Sequence, residues 1–372
     1  MNRRRARRVV AAFFLGFLGF LALSYRPPRT AVTALKEEIA PTLLREAPGV
    51  RDTARFREFE YVETRPSEST YRLRALEAIG FEAQGEQIFR LKDAIFESKE
   101  PGTGRTLVLS APRAEFISLS KAVKVFEGVR IEGEGTTLHG DSFRYDPALR
   151  LFISDGPVSA VRDELVAHAN EGRLATRDGV VDLGGAVRVR GRLEGGRTVD
   201  LTAPRVRLGR SGQLRAEGDV VVKSDDGILR CKTFERSPTE SGDELKAEGD
   251  ALLVVPPRPP QPDAPFLARG ETITLARDEK ADAAVLVLTG AAGKDARVDL
   301  APSPGGGARR ATSASFTLRL EAGALREMTS PAAFDSAEEG SARGKDGALR
   351  TLTAGFGRFL FAKETRTLDI AT

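Results

Sequence analysis

The sequence predicts an all-β protein of stacked, repeated antiparallel hairpins behind a single N-terminal apolar segment. Three observations carry this: period-two alternation of apolar and polar residues along most of the chain, glycine-containing words that recur through it, and an uncharged run behind a cluster of arginines. The clearest alternation is DLTAPRVRLGRSGQLRAEGDVVVKS, Asp200 to Ser224. Looser copies surround it. LSAPRAEFISLSKAVKVFEGVRIEG (Leu109 to Gly133) shares Ala-Pro-Arg and an acidic-Gly-Val step, and LKAEGDALLVV (from Leu245) repeats Ala-Glu-Gly-Asp. Asp155-Gly156 and Gly184-Gly185 repeat the step between them, giving a period of roughly 30 residues, which reads as one supersecondary unit stacked on its neighbours. The glycine words are expected to be turns between short strands.

Composition narrows the architecture. A 372-residue chain with 41% hydrophobic residues but only 6% aromatic, no Trp and 37 Gly fits many thin β layers better than one thick core. The formal charge is +4, but Arg3, Arg4, Arg5, Arg7 and Arg8 precede the first apolar run; subtracting those five leaves the rest at −1. Such a body, with its charges interleaved, lacks the basic face that phosphate tracking requires, which excludes nucleic-acid binding.

In chain order, residues 1–8 form a basic cytoplasmic tail and 9–25 a transmembrane anchor, VVAAFFLGFLGFLALSY, short but uncharged. The basic flank stays inside, so everything after Tyr25 is exported. A cleaved signal peptide with Ala22-Leu23-Ser24 as the small-x-small site is the competing reading, and it exports the body equally. Residues 26–55 are a juxtamembrane spacer, in which Val32, Leu35 and Ile39 have helical spacing. The β body follows: 56–161 as a first β-jellyroll-sized stretch, 162–255 as further β repeats, 256–265 (PPRPPQPDAP) as a Pro-rich linker or loop, and 266–372 as weaker β repeats or a capping region.

Catalytic parts are missing, so no enzyme and no cofactor or metal is expected. His139 and His168 lack companions at metal spacing. Ser118-Leu119-Ser120-Lys121 matches S-x-x-K, but in a turn between strands and without its partner motifs. Cys231, the only cysteine, falls on the dry face with Leu229.

What remains is an apolar row: Leu107, Leu109, Phe116, Val123, Val125, Val129, Ile131, Leu138, Leu149, Leu151, Ile153, Val187, Val189, Val199, Leu201, Val220 and Val222. It fits either a sealed core or an open trough for acyl chains; residue physics alone favours the sealed core.

The N-terminal anchor, then YRLRALEAIGFEAQGEQIFRLKDAIF, then units like LTAPRVRLGRSGQLRAEGDVVVKS, resembles the periplasmic bridge proteins of lipopolysaccharide export, the LptC/LptA group with the OstA-like fold. Residues 56–161 are similar to the anchored LptC component and the repeats to about 255 to LptA. The resemblance implies an elongated, incompletely closed antiparallel β-jellyroll with an apolar trough. It also implies lipopolysaccharide as ligand, an inner-membrane ABC transporter complex as partner, and a soluble LptA-like bridge protein or the outer-membrane LptD-like translocon beyond it. On this reading the apolar row is a lipid path, in a single-pass inner-membrane protein with a periplasmic body. The alternative is an exported structural or adhesive β-solenoid with a sealed core and no lipid. The chain is longer than a usual LptC relative, so it could itself replace a separate LptA.

Overall fold

The computed structural model describes residues 31–35, 51–64, 70–83, 86–99, 104, 106–192, 196–240, 242–256, 266–278, 283–300, 308–321, 324–338, 350–354, 357–361 and 368–371. The basic tail and the predicted anchor lie outside these. Among the described residues the protein is β-strand apart from turns and one three-residue 3-10 turn, Arg210–Gly212, and no helix is long and apolar enough to cross a membrane. All described strand pairings are antiparallel. Two compact units divide at Val125/Phe126, whereas the sequence predicts a first jellyroll-sized stretch that runs to 161.

The first unit contains β1 (Ala31–Leu35), β2 (Arg51–Thr64), β3 (Thr70–Ala83), β4 (Glu86–Lys99) and β5 (Thr106–Ile117), each paired with the next. The helical spacing of Val32 and Leu35 misleads: Ala31–Leu35 is a strand, with Val32 opposite Tyr61. Five residues containing two β-branched side chains gain a ladder from β2, which outweighs a one-turn helical pattern. The core here is aromatic. Phe59, Phe89 and Phe116 lie 5.3 to 6.5 Å apart by ring centroid, and Tyr61 lies 4.7 Å from Phe116.

The second unit begins within β6 (Val123–Gly133) and continues with β7 (Thr136–Asp146), four short strands β8 (Leu151–Ser154), β9 (Val158–Arg162), β10 (Leu165–Ala169) and β11 (Glu171–Ala175), then six long ones: β12 (Val181–Arg192), β13 (Thr198–Leu208), β14 (Leu214–Ser224), β15 (Gly227–Thr239), β16 (Gly242–Val255) and β17 (Phe266–Asp278). Shorter strands follow: β18 (Ala283–Thr289), β19 (Ala296–Leu300), β20 (Arg309–Ser313), β21 (Ser315–Glu321), β22 (Ala324–Ser330), β23 (Phe334–Glu338), β24 (Arg350–Ala354), β25 (Gly357–Phe361) and β26 (Leu368–Ala371).

Every junction between neighbouring long strands from β12 to β17 has a mid-strand register break, between Gly184 and Val187, Thr202 and Arg205, Glu217 and Val220, Arg230 and Thr233, and Glu248 and Ala251. These breaks divide the unit into two half-sheets. In half-sheet A the C-terminal half of β12 pairs with β10, then β9, then the first half of β7, and the N-terminal half of β17 leads through β19, β20 and β23 to β24. In half-sheet B the other half of β12 pairs with β11, then β8, then the second half of β7, and the rest of β17 leads through β18, β21, β22 and β25 to β26.

The glycine words at Gly184-Gly185, Glu217-Gly218-Asp219 and Glu248-Gly249-Asp250 are therefore bulges inside long strands, and the expectation of turns there is corrected, while Asp155-Gly156 is a bend between β8 and β9 as expected. A bulge inserts an unpaired residue and often needs positive φ, which glycine adopts without strain. Gly218 has φ +100°, Gly249 +82°, Gly185 +72° and Gly128 +76°. The Ala-Pro-Arg word supplies the opposing strand. Pro204 lacks an N–H and falls where the ladder is already broken, and a Cβ on Gly218 would lie 2.6 Å from its Cγ. The interval of roughly 30 residues is thus one pair of long strands, glycine on one and proline or its equivalent on the other. Gly-Arg-Ser-Gly at 209–212 is the turn it was expected to be.

Candidate functional site

The inner faces of the two half-sheets line a partly open apolar cavity of about 160 Å³ within the second unit. Half-sheet A contributes Leu165, Val189, Val199, Leu201, Val222, Leu229, Leu253, Val255 and Phe266; half-sheet B contributes Leu214, Phe234, Leu245, Ala247, Ile273, Leu275, Ala283, Ala284, Leu286 and Leu320. Each reaches the cavity because its strand alternates in phase with the buried positions on that side of the bulge, as in β14, where Leu214 and Ala216 are buried before the break and Val220 and Val222 after it. The buried positions of β14 keep one parity across the break, whereas the opposing β13 shifts by one residue, from Leu201 and Ala203 to Val206 and Leu208, so both halves of each strand face inward.

Charged residues stand at the cavity's rim. Asp226, in the β14–β15 turn of half-sheet A, accepts from Arg277 near the end of β17 in half-sheet B at 2.6 Å and lies 3.7 Å from Arg197. Arg236 pairs with Asp243 at 2.9 Å, both side chains 12% exposed. Farther along, the Arg162 guanidinium at the end of β9 donates to the Gly209 carbonyl between β13 and β14. The outer faces carry ordinary cross-strand ion pairs. Arg188 holds the Asp200 carboxyl below its usual range, and Lys232 and Arg269 do the same for Asp219 and Asp250, in each case chiefly through a side-chain hydrogen bond. Asp219 and Asp250 are thus fastened beside their bulges, Lys232 at 2.6 Å and Arg269 at 3.0 and 2.8 Å.

Of the predicted trough residues, Val189, Val199, Leu201 and Val222 line the cavity. Val129, Ile131, Leu138, Val187 and Val220 are buried in the same unit without lining it, and Leu107, Leu109, Phe116, Val123 and Val125 are buried in the first unit. Three positions are corrected. Leu149 sits in the turn after β7, 64% exposed, because Asp146 Oδ1 caps that turn by accepting from the Ala148 and Leu149 backbone amides. Leu151 and Ile153 are half-exposed, while Phe152 and Ser154 between them are buried. The alternation of β8 is there but with the opposite phase, since Phe152 brings a larger apolar surface to the core than either neighbour.

None of half-sheet B's lining residues, from Leu214 to Leu320, belongs to the predicted row. The signal was available in the period-two runs ETITLAR and AVLVLTG, whose Ile273, Leu275 and Leu286 point in.

The other candidates take bland places. Cys231 is buried opposite Val220, and burial pushes its thiol up to about 12. His139 and His168 are exposed strand residues, and the described residues contain no cluster suited to a metal ion. Ser118 to Ser120 form a turn, with Lys121 5.1 Å above the Tyr61 ring. Compared with known proteins, the chain matches no family model and no curated relative.

Proposed function

We propose that the protein is a membrane-anchored periplasmic component of lipopolysaccharide export, an incompletely closed β-jellyroll that holds acyl chains between its half-sheets and relays them from an inner-membrane ABC transporter toward the outer membrane. The observation that carries this reading is the apolar cavity between the inner faces of A and B, placed where paired β layers would otherwise be filled by side chains. Edge strands support the relay. Among the described residues β24 pairs only with β23 and β26 only with β25, leaving backbone donors and acceptors for strand addition by a bridge protein or translocon.

A sealed structural β-protein is the second reading, and the aromatic packing of Phe59, Phe89, Phe116 and Tyr61 favours it for the first unit. The two readings separate by photo-crosslinking. With benzoylphenylalanine at Val222 or Leu229 of the full-length protein in cells, lipopolysaccharide adducts are expected, and none from Phe116. Absence of adducts at every cavity position, in protein that is folded and exported, rejects the lipid path.

A further inference from the structure

The cavity is small for the ligand class it would serve. At about 160 Å³ it matches the engineered apolar cavity of roughly 150 Å³ that takes a single benzene. Ligand pockets usually span roughly 300–1,000 Å³, so a long acyl chain enters only if the half-sheets part at the rim. Polar ties join the two half-sheets, among them Arg277 to Asp226 and Arg162 to the Gly209 carbonyl. The first is the stronger kind, charged on both sides. It is also partly shielded: the Arg277 side chain is 14% exposed and Arg197 21%. Its geometry places one carboxylate between two guanidiniums, and all three charged residues line the cavity together with Leu229, Leu253 and Leu275.

We propose that Arg197, Asp226 and Arg277 form a latch and a head-group site for an anionic amphiphile. The ligand's phosphate or carboxylate takes the place of the Asp226 carboxylate against Arg277 on half-sheet B, Asp226 keeping Arg197 on its own half-sheet A, and that exchange frees half-sheet A from half-sheet B so that the tail slides in beneath. The chemistry is complementary at both ends: a planar guanidinium binds an oxyanion in two-pronged fashion, and the adjoining aliphatic wall accepts a chain without directional demand. An uncharged chain must break the same ion pair with nothing to replace it, so the latch also selects against neutral lipids. The inference rests on the lipid reading above, and its test is chosen to fail separately from it.

Diazirine-bearing dodecyl phosphate and the matching dodecanol are applied to the full-length protein, and adducts on the cavity strands are quantified by mass spectrometry. Wild type is expected to favour the phosphate. Asp226→Asn loosens the latch and removes the carboxylate that competes with the ligand for Arg277, so both probes label more and the phosphate-to-alcohol ratio rises about tenfold, the size of one charge-assisted hydrogen bond. Arg277→Gln loosens the same latch but removes a phosphate ligand, so alcohol labelling rises and the ratio falls toward one. Far-UV circular dichroism and urea midpoints establish that both variants are folded. A ratio that stays constant, or moves the same way in both variants, overturns the latch while leaving the lipid path standing. Failure of both probes to label wild type and variants overturns the lipid path and the latch with it.

Discussion

Replacing Gly218 by alanine tests whether the recurrent words are bulges. Two costs add. At φ +100° an L-residue is strained, by about 1–2 kcal/mol. The new Cβ would also stand 2.6 Å from Pro204 Cγ and 2.9 Å from its Cδ, and because a proline ring is tied to its backbone at two points the strands must shift, at about 1–3 kcal/mol. Against this, alanine restricts the unfolded chain, returning about 0.4–1 kcal/mol. The net loss is about 2–4 kcal/mol. Gly128→Ala serves as the internal reference, since its φ is +76° but a Cβ there meets nothing within 4 Å, so only the backbone cost of about 1 kcal/mol remains. Hydrogen exchange of the 198–208 and 214–224 peptides in the full-length protein reads the local opening, and 2–4 kcal/mol corresponds to roughly thirtyfold to several-hundredfold faster exchange. Pro204→Ala combined with Gly218→Ala should recover the contact share, about 1–2 kcal/mol, as a coupling energy. If Gly218→Ala exchanges like wild type, or the double variant shows no coupling, the glycine is not there to admit the proline ring and the bulge argument fails.

Three further outcomes follow from the same geometry. Phe152→Ala should cost about 3–5 kcal/mol by urea denaturation, whereas Leu149→Ala should change stability by less than about 0.5 kcal/mol; the reverse order would restore the opposite strand phase. Cys231 should resist a thiol reagent in the native protein at pH 8, where a thiol at about 12 is ionised to only about one part in ten thousand, and should react stoichiometrically once unfolded. Asp200, Asp219 and Asp250 have folded values below the ordinary 3.8, so their pairing stabilises the protein above that value and is lost as pH falls through the lower folded values. Urea midpoints should therefore hold steady from neutral pH to about 5 and decline below about 4, and replacing all three by Asn should flatten that decline.

Strand existence was legible because alternation of period two survives single-sequence reading wherever one face is wet: β13, β14 and β15 can be drawn from the chain by hand. The function of the glycine words was not. A turn and a bulge both call for positive φ and a small residue, and Gly212, in a turn, and Gly218, in a bulge, differ only in what pairs around them, which is information held by the neighbouring strands. Misjudging a bulge has a definite consequence, since across it the inward phase of β13 shifts by one residue, from Leu201 and Ala203 to Val206 and Leu208, while that of β14 does not. At β8 the four residues Leu151–Ser154 follow a tight turn and contain apolar side chains in both phases, so nothing local chose between Leu151 with Ile153 and Phe152. The cavity itself was out of reach for a different reason. Its two walls are brought together by the break in each long strand, and Arg277 meets Asp226 only because residues 51 positions apart end on facing rims.

The residues beside the breaks explain why the space lies at the rim. Ala203, Ala216, Ala247 and Ala251 flank the bulges and are 5% exposed or less. Alanine brings no volume beyond its methyl, so the two half-sheets can converge there and the core can close with almost nothing between them. Away from the breaks the inward positions are Leu201, Val222, Leu253, Phe234, Ile273 and Leu286, larger side chains that hold the walls apart, and toward the strand ends Leu229, Leu245 and Leu275 are only half-buried. A gradient from alanine at the crease to leucine at the edge makes a wedge. Such a wedge, closed at its narrow end by packing and at its wide end by one carboxylate between two guanidiniums, can be opened from the wide end without disturbing the crease, because the ion pair is exchangeable with any oxyanion and the alanine contacts are not.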